Sequence, residues 1–405
     1  MTADRLPVVD LIDAKLIYDY RPGSVTIPQQ LWPKDCQTRD EAFAKIGKAK
    51  QFQGADPECL AEIAGRACYD SFGKGRTSGA FHAHILEVGH GSVYEHFNFT
   101  VEVEVPNSSV LSQVLMVVVN RPNLWVRVVE PNVLRLTLNM RHVVEWHFWT
   151  QQADILGSGT REVANALGTL IRVMVSETLA PRIAILNHHD EDRDDLDISI
   201  RRVEPETDEE KWITMLLTGS RGFSHELVRH GDRTAISQRS TRYVDENESP
   251  WVWHPLIHEW IGDTVANFYS EEEAWAELGL NVEDECKKTY GKIVDRLQPW
   301  LLEKLEAAGT VDPRFLKTTA RKQARGAARG FLGNALYTEV VFSASVAQWN
   351  RILRQRAGGP ADAEIRESFA EKVLPVLRKT QYADSFAQWE SFDCEDGIGQ
   401  AAREV

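Results

Sequence analysis

Cysteine is scarce in this 405-residue chain, and what little there is carries no pattern. Cys36, Cys59, Cys68, Cys286 and Cys394 are widely scattered and odd in number, with no Cys-x-x-Cys, which points to reduced thiols in a cytoplasmic protein rather than a disulfide framework. Long apolar runs are missing: the stretch Val114 to Val119 is far too short to cross a bilayer, so no membrane is expected as a partner. Met1 to Asp10 lacks the basic-then-apolar order of a secretory signal. Positive charge is also in deficit. Lys plus Arg total 46 against 60 Asp plus Glu, a formal charge of −14, which argues against nucleic acid as the main partner. A small anionic ligand needs only a local basic cluster and stays open.

Several motifs are absent as well. There is no GxxxxGK[ST] phosphate loop, and Gly73-Lys-Gly-Arg-Thr-Ser-Gly79 lacks both the glycine spacing and the leading strand of a dinucleotide fingerprint. His225-Glu-Leu-Val-Arg-His230 resembles a zinc HExxH, but its histidines are five apart and point roughly 140° away from each other on a helix. His142-Val-Val-Glu-Trp-His147 fails for the same reason, and no metal site is expected.

What remains is ordinary globular composition, 43% hydrophobic and 26% charged, in a chain long enough for one large domain with an insertion or for two domains. Residues 1 to about 50 read as an irregular extension. Apolar spacing predicts two helices between Asp56 and Val88, separated by a Gly/Ser-rich loop at 69–79. Alternation predicts a strand from Phe97 to Val105 and another through Leu196, Ile198 and Ile200. Thr160 to Glu177 and Thr207 to Gly231 read as helical, the latter with Asp208, Glu209 and Glu210 in its first turn. Asn187 to Asp197 is an acidic, solvated loop. Further helical patterns cover Glu283–Ala308, Thr318–Leu332, Ser343–Gln355 and Ala361–Arg378. The expected class is α/β or α+β, a mixed central sheet flanked by helices.

The densest polar segment is Arg229-His-Gly-Asp-Arg-Thr-Ala-Ile-Ser-Gln-Arg-Ser-Thr-Arg-Tyr243, with four arginines against one aspartate in an acidic chain. Guanidinium forks and hydroxyls in a loop at a helix end suit a phosphate or a nucleobase carbonyl. By itself the composition fits a solvated basic turn or an interface ion-pair network equally well.

The segment does not stand alone. Gly89-His-Gly-Ser-Val-Tyr-Glu-His96 precedes a strand upstream; Ala328-Arg-Gly-Phe-Leu-Gly333, the stretch Trp349 to Arg356 and Ala363-Glu-Ile-Arg366 follow downstream. In this order, with the basic segment second, they resemble the flavin-dependent thymidylate synthase family, over roughly 60–105 and 212–380. The resemblance implies a core of 56–105 and 196–385, an N-terminal extension 1–55, an insertion 106–195 and a tail 386–405. It implies FAD, NADPH and 5,10-methylenetetrahydrofolate as cofactors, a pyrimidine nucleotide (dUMP) methylated at C5, and a homotetramer whose active sites draw on several subunits.

Carried over residue by residue, His90 and Ser92 resemble flavin contacts, and Arg229, His230 and Arg233 resemble the Arg-His-Arg that holds the flavin, with Arg351 beside them. Glu226, Gln238, Ser240, Arg242 and Arg329 match nucleotide-binding positions, as does Arg229. Arg356 matches the arginine that activates uracil. The physics agrees: a guanidinium fixed at O2/N3 stabilises the ring anion, so no thiolate is needed. The pattern departs at Gly231-Asp232, where the family has an arginine, and at Glu226, where a glutamine is common. Gln238 replaces the more frequent glutamate. Ser345 and Ala347 stand where an Asn and an Arg face the flavin, and Asn139 and Arg141, from the insertion, are expected to supply those contacts. A homologue acting on another pyrimidine, by UMP methylation or hydroxymethyl transfer, and a flavin- or nucleotide-binding protein without methyl transfer are the rivals.

Overall fold

The computed structural model describes residues 12–119, 123–142, 198–257, 259–260, 273, 282–394 and 399–405. The helical pattern at 160–177, the acidic loop at 187–197 and most of the expected insertion lie outside them.

A four-stranded sheet organises the molecule, in the order β1 (Asp13–Tyr18), β6 (Trp212–Ser220), β8 (Tyr337–Ser345), β7 (Thr234–Gln238). All three pairings are antiparallel, for example Met215 opposite Phe342 and Gln238 opposite Val340. A second antiparallel sheet runs β3 (Trp125–Glu130), β4 (Val133–Asn139), β2 (Asn98–Glu104), β5 (Ser199–Val203). Sheets flanked by helices bear out the expected mixed class, in its α+β form.

The two central strands β6 and β8 are buried along their whole length. One face of their sheet, with Leu216 and Val341, packs toward the second sheet and toward helices α2 (Asp56–Tyr69) and α3 (Ser78–Glu87). The other face, with Leu217, Val340 and Phe342, packs on α8 (Val346–Arg356) and the residues after it. Apolar positions at Val346, Trp349, Ile352 and Leu353 fall on one stripe of α8 and are buried, which turns Arg351 and Arg354 outward, while Arg356, four residues after Ile352, ends the helix on the same stripe and is only partly exposed. Ser345 starts this helix by accepting the Gln348 N–H at 3.2 Å.

Three local readings are corrected. Thr207 to Gly231 is not one helix: it contains β6 and then the short helix α5 (Arg221–Leu227). A short apolar run cannot be told from a buried strand by periodicity, and the acidic turn that suggested a helix start instead binds arginines; the Glu210 carboxylate lies 3.2 Å from Arg127. The residues before 55 are not irregular throughout, since β1 forms a sheet edge and α1 (Arg39–Lys48) carries a Thr38–Glu41 capping box. The basic segment 229–243 is not a simple loop either, because β7 runs through its middle.

Candidate active site at the two ends of β7

Strand β7 divides the basic segment into two poles. Its five extended residues place the poles roughly 17 Å apart, at about 3.3 Å per residue.

The first pole gathers the end of α5, the turn before β7 and the last turn of α8. Arg356 Nε donates to His230 Nε2 at 2.9 Å, and Arg356 Nη1 lies 2.5 Å from a Glu226 carboxylate oxygen. Arg229 Nη1 approaches the other oxygen of Glu226 at 3.1 Å. His230 is buried among arginines, and burial first, then the charges of Arg356 and Arg351, push it down to about 4. It is therefore neutral at pH 7, with Nε2 accepting and the proton on Nδ1. Its carbonyl accepts the Thr234 hydroxyl at 2.8 Å, which fixes the turn.

Asp232 works in the same way on a second pair, 3.7 Å from both Arg233 and Arg351. Arg233 adopts a left-handed backbone (φ 49°), and its guanidinium lies 5.0 Å from the Trp125 ring centre. Arg233 Nη1 is buried with no hydrogen-bond partner among the described residues, a donor that suits a phosphate or carbonyl oxygen of a ligand. Beside Arg356 opens a pocket of about 360 Å³ lined by Glu226, Arg354, Gln355, Arg356, Gly358, Pro360, Ala361 and Asp362. On this pocket's wall Asp362 pairs with His254 at 3.1 Å, which raises the imidazole and lowers the carboxyl.

The second pole follows β7. Ser240 N–H donates to the Cys68 carbonyl at 2.9 Å, and Arg242 extends over Gly326 of α7 (Leu316–Ala328), where an added Cβ would stand 3.7 Å from Arg242 Nε. Arg329 follows directly on α7. Arg242 and Arg329 are exposed, and among the described residues neither forms an ion pair. Arg325 ties α7 to this loop through the Tyr243 carbonyl and Asp245, both at 2.6 Å. Tyr69 links the pole to the upstream motif: it meets Tyr243 edge-on at 4.7 Å, and its hydroxyl pairs with His90 Nδ1 at 2.9 Å. Ser92 is exposed on the same short helical segment, Gly91–His96.

Gln238 sits between the poles, donating to Ser224 at 2.7 Å and to Thr338 at 3.2 Å. The structure therefore joins Arg229, His230, Arg233, Arg351, Arg356 and Glu226. It places His90, Ser240, Arg242 and Arg329 around the other end, and among the described residues no hydrogen bond or ion pair links Arg229 or Arg356 to Arg242 or Arg329. Asn139 joins neither group, whereas Arg141 meets the short segment that carries Ser92. Asn139 accepts the His142 N–H at 3.1 Å, and Arg141 pairs with Glu95.

Some partners carried no signal in the sequence. Arg239, inside the basic segment, is buried: it donates to Ser249 at 2.8 Å and lies 3.5 Å from Glu246, so it is structural. Its other neighbour, Glu339, is pushed up to about 7, chiefly by burial. His96 closes the upstream motif and is wholly buried, its ring bridging Ser343 at 2.8 Å and Ser237 at 2.9 Å, and burial lowers it to about 3. Trp125 comes to Arg233 from the second sheet, a contact that sequence proximity cannot suggest.

The family described as thymidylate synthase complementing protein matches residues 52–116 and 188–380, which include both poles. The chain is 34% identical over 171 residues to a flavin-dependent thymidylate synthase of Corynebacterium glutamicum, covering 42% of this chain and 58% of that protein. It is 34% identical over 186 residues to the protein of that name from Mycobacterium sp. strain KMS, covering 46% and 65%. A Corynebacterium diphtheriae relative is 32% identical over 178 residues, covering 44% and 61%. The chain thus spans about three fifths of the length of these curated relatives.

Proposed function

The chain belongs to the thymidylate synthase complementing protein family, and from that premise we propose that it is a flavin-dependent thymidylate synthase. In this reading it methylates C5 of dUMP, taking the carbon from 5,10-methylenetetrahydrofolate with FAD and NADPH, and acts in the cytoplasm as a homotetramer. Among the described residues, no helix is long and apolar enough to cross a membrane.

The observation that carries the reading is the Arg356 guanidinium. It stands at the wall of the 360 Å³ pocket, held on one side by a neutral imidazole and on the other by a carboxylate. A cation fixed before the substrate arrives needs no reorganisation during the reaction. Two charge-assisted bonds of about 2 kcal/mol each, from Arg356 to a uracil edge, would lower the N3 pKa by roughly three units and load electron density onto C5. Glu226, held between two guanidiniums, would accept a ribose hydroxyl of the nucleotide. His230 orients Arg356 through Nε2 and stays uncharged, so it does not compete for the anion.

The residues present fit a flavin. The unpartnered Nη1 of Arg233 and the guanidiniums of Arg229 and Arg351 would hold its phosphates or ring carbonyls. When bound, the flavin supplies the hydride that completes the methyl group. Arg242, Ser240 and Arg329 form a separate phosphate-binding end. Because a strand's length separates the two ends, a second copy of the chain would complete each site, and His90 and Ser92 would reach the flavin from that copy.

The test is tritium release from [5-³H]dUMP in the presence of FAD, NADPH and methylenetetrahydrofolate. Turnover that disappears in Arg356→Ala is expected. Absence of flavin binding and of tritium release in the intact protein would overturn the reading.

A further inference from the structure

The family match ends at residue 380, and the chain beyond it returns to the helix that carries Arg356. There β9 (Trp389–Asp393) and β10 (Gln400–Glu404) form an antiparallel pair. Three residues of α8 meet it. Asn350 Oδ1 accepts the Trp389 indole N–H at 2.7 Å. The Arg354 fork donates to both carboxylate oxygens of Glu404, at 2.7 and 2.8 Å. The Ala357 carbonyl accepts the Ala402 N–H at 2.8 Å. Positions 350, 354 and 357 share one face of a helix that turns about 100° per residue.

The grip matters most where the helix ends. The last carbonyls of an α-helix have no intrahelical donor, and such ends open readily unless another group satisfies them. Ala402 supplies that donor to Ala357, the residue directly after Arg356, and Arg366 holds the Gly359 carbonyl at 2.8 Å. Ala402 stands opposite Ser391, and its N–H points to α8 rather than to β9, so it serves the helix and not the strand pair. Arg356 therefore sits on a turn that β10 closes, and its contacts to His230 and Glu226 depend on where that turn lies.

We infer that Glu404 is a positioning residue for Arg356: through Arg354, and with the neighbouring Ala402 N–H, it locks the last turn of α8 before the nucleotide arrives. Neither Glu404 nor Ala402 lines the pocket beside Arg356, so both act at a distance. The inference rests on the role given to Arg356 above. A displacement of about 1 Å in a reacting group, caused far from the chemistry, can cost about 10²-fold in rate. A loosened clamp would therefore lower kcat while leaving the phosphate grip, and with it KM, in place.

The experiment uses the full chain with Glu404→Arg, which sets two guanidiniums against each other, and the double variant Arg354→Glu with Glu404→Arg, which restores the pair with its charges exchanged. The two side chains are 52% and 40% exposed, so neither variant is expected to unfold. In Glu404→Arg, amide hydrogen exchange at Gln355, Arg356 and Ala357 of the ligand-free protein is expected to speed up roughly tenfold. Its kcat for tritium release from [5-³H]dUMP is expected to fall roughly fivefold, with KM, flavin affinity and melting temperature little changed. The double variant is expected to recover most of both losses. Exchange and kcat that stay within twofold of wild type in Glu404→Arg overturn the inference. A lower melting temperature with kcat intact overturns it too, since the strand pair would then serve stability alone. A kcat loss that the exchanged pair fails to recover overturns the route through Arg354. Absence of tritium release from the wild-type protein overturns the reading of Arg356 instead, and the exchange rates still decide whether Glu404 holds the turn.

Discussion

The two ends of β7 carry the same residue type in opposite electrostatic settings. At the first, every arginine has a carboxylate beside it: Glu226 serves Arg229 and Arg356, and Asp232 serves Arg233 and Arg351. At the second, Arg242 and Arg329 are exposed and form no ion pair among the described residues. A guanidinium already held in place can orient a planar ring, since its geometry is set before binding. A free, exposed guanidinium keeps its full charge for an incoming phosphate. On the proposed function, the first end would read the ring and the second would catch the phosphate.

Removing Arg356 should break the contrast most severely. Arg356→Ala is expected to reduce kcat for tritium release from [5-³H]dUMP by roughly 10²–10³, the usual cost of losing one preorganised charge donor. A loss confined to KM would show that Arg356 serves binding alone. At the other end, Arg242→Ala or Arg329→Ala should raise KM about 10- to 30-fold with kcat nearly unchanged, because a phosphate grip acts equally on ground and transition states. An effect on kcat alone would dissolve the distinction between the ends.

The buried imidazoles supply a smaller effect. His230 and His96 are held down to about 4 and about 3, below the ordinary value near 6.5. The unfolded chain therefore takes up protons below about pH 6.5 while the folded chain does not. Their contribution to stability is fully present above pH 6.5 and declines as the pH falls, down to about 4 for His230 and about 3 for His96. Melting temperature should drop by a few degrees between pH 7 and 5, and His96→Gln should flatten that slope. A flat profile in the wild-type protein would contradict the assignment of both imidazoles as buried and neutral.

Asp232→Asn should change least. Asp232, Arg233 and Arg351 meet at 3.7 Å, and the Asp232–Arg351 pair is largely exposed, so its worth is a fraction of a kcal/mol and the melting temperature should not move measurably. Flavin affinity should instead rise a few-fold in a fluorescence titration, since the variant releases two cations. A clear loss of stability would mean that Asp232 builds the turn rather than tuning its charge.

Which features were legible in the sequence follows from the range of the interactions. The helices at 56–88, the strand through Phe99, Val101 and Val103, and α8 with its buried stripe follow from local periodicity, which one segment holds complete. The residue types of the site were legible too, since an arginine-rich segment stands out in an acidic chain, although its composition alone fits a solvated basic turn. Strands β6, β7 and β8 were not. Their apolar runs lie in a sheet whose partners are more than a hundred residues away, and only pairing with Val340 or Phe342 distinguishes them from helix. Arg239 and Arg242 look alike in sequence, yet one is buried on Glu246 and the other faces solvent, because β7 ends at Gln238 and the chain turns at 241–243, which carries Arg242 away from the core.

The sequence by itself determined the chemistry at hand: guanidiniums, hydroxyls and one histidine in a fixed order, with Glu226 and Asp232 in unusual places. The tertiary structure alone decided who meets whom. By stretching 234–238 into a strand it parted Arg229 from Arg242, and by ending α8 against α5 it set Arg356 between His230 and Glu226. Those contacts join residues more than a hundred positions apart, and only packing of the whole chain brings such distant side chains within hydrogen-bonding range.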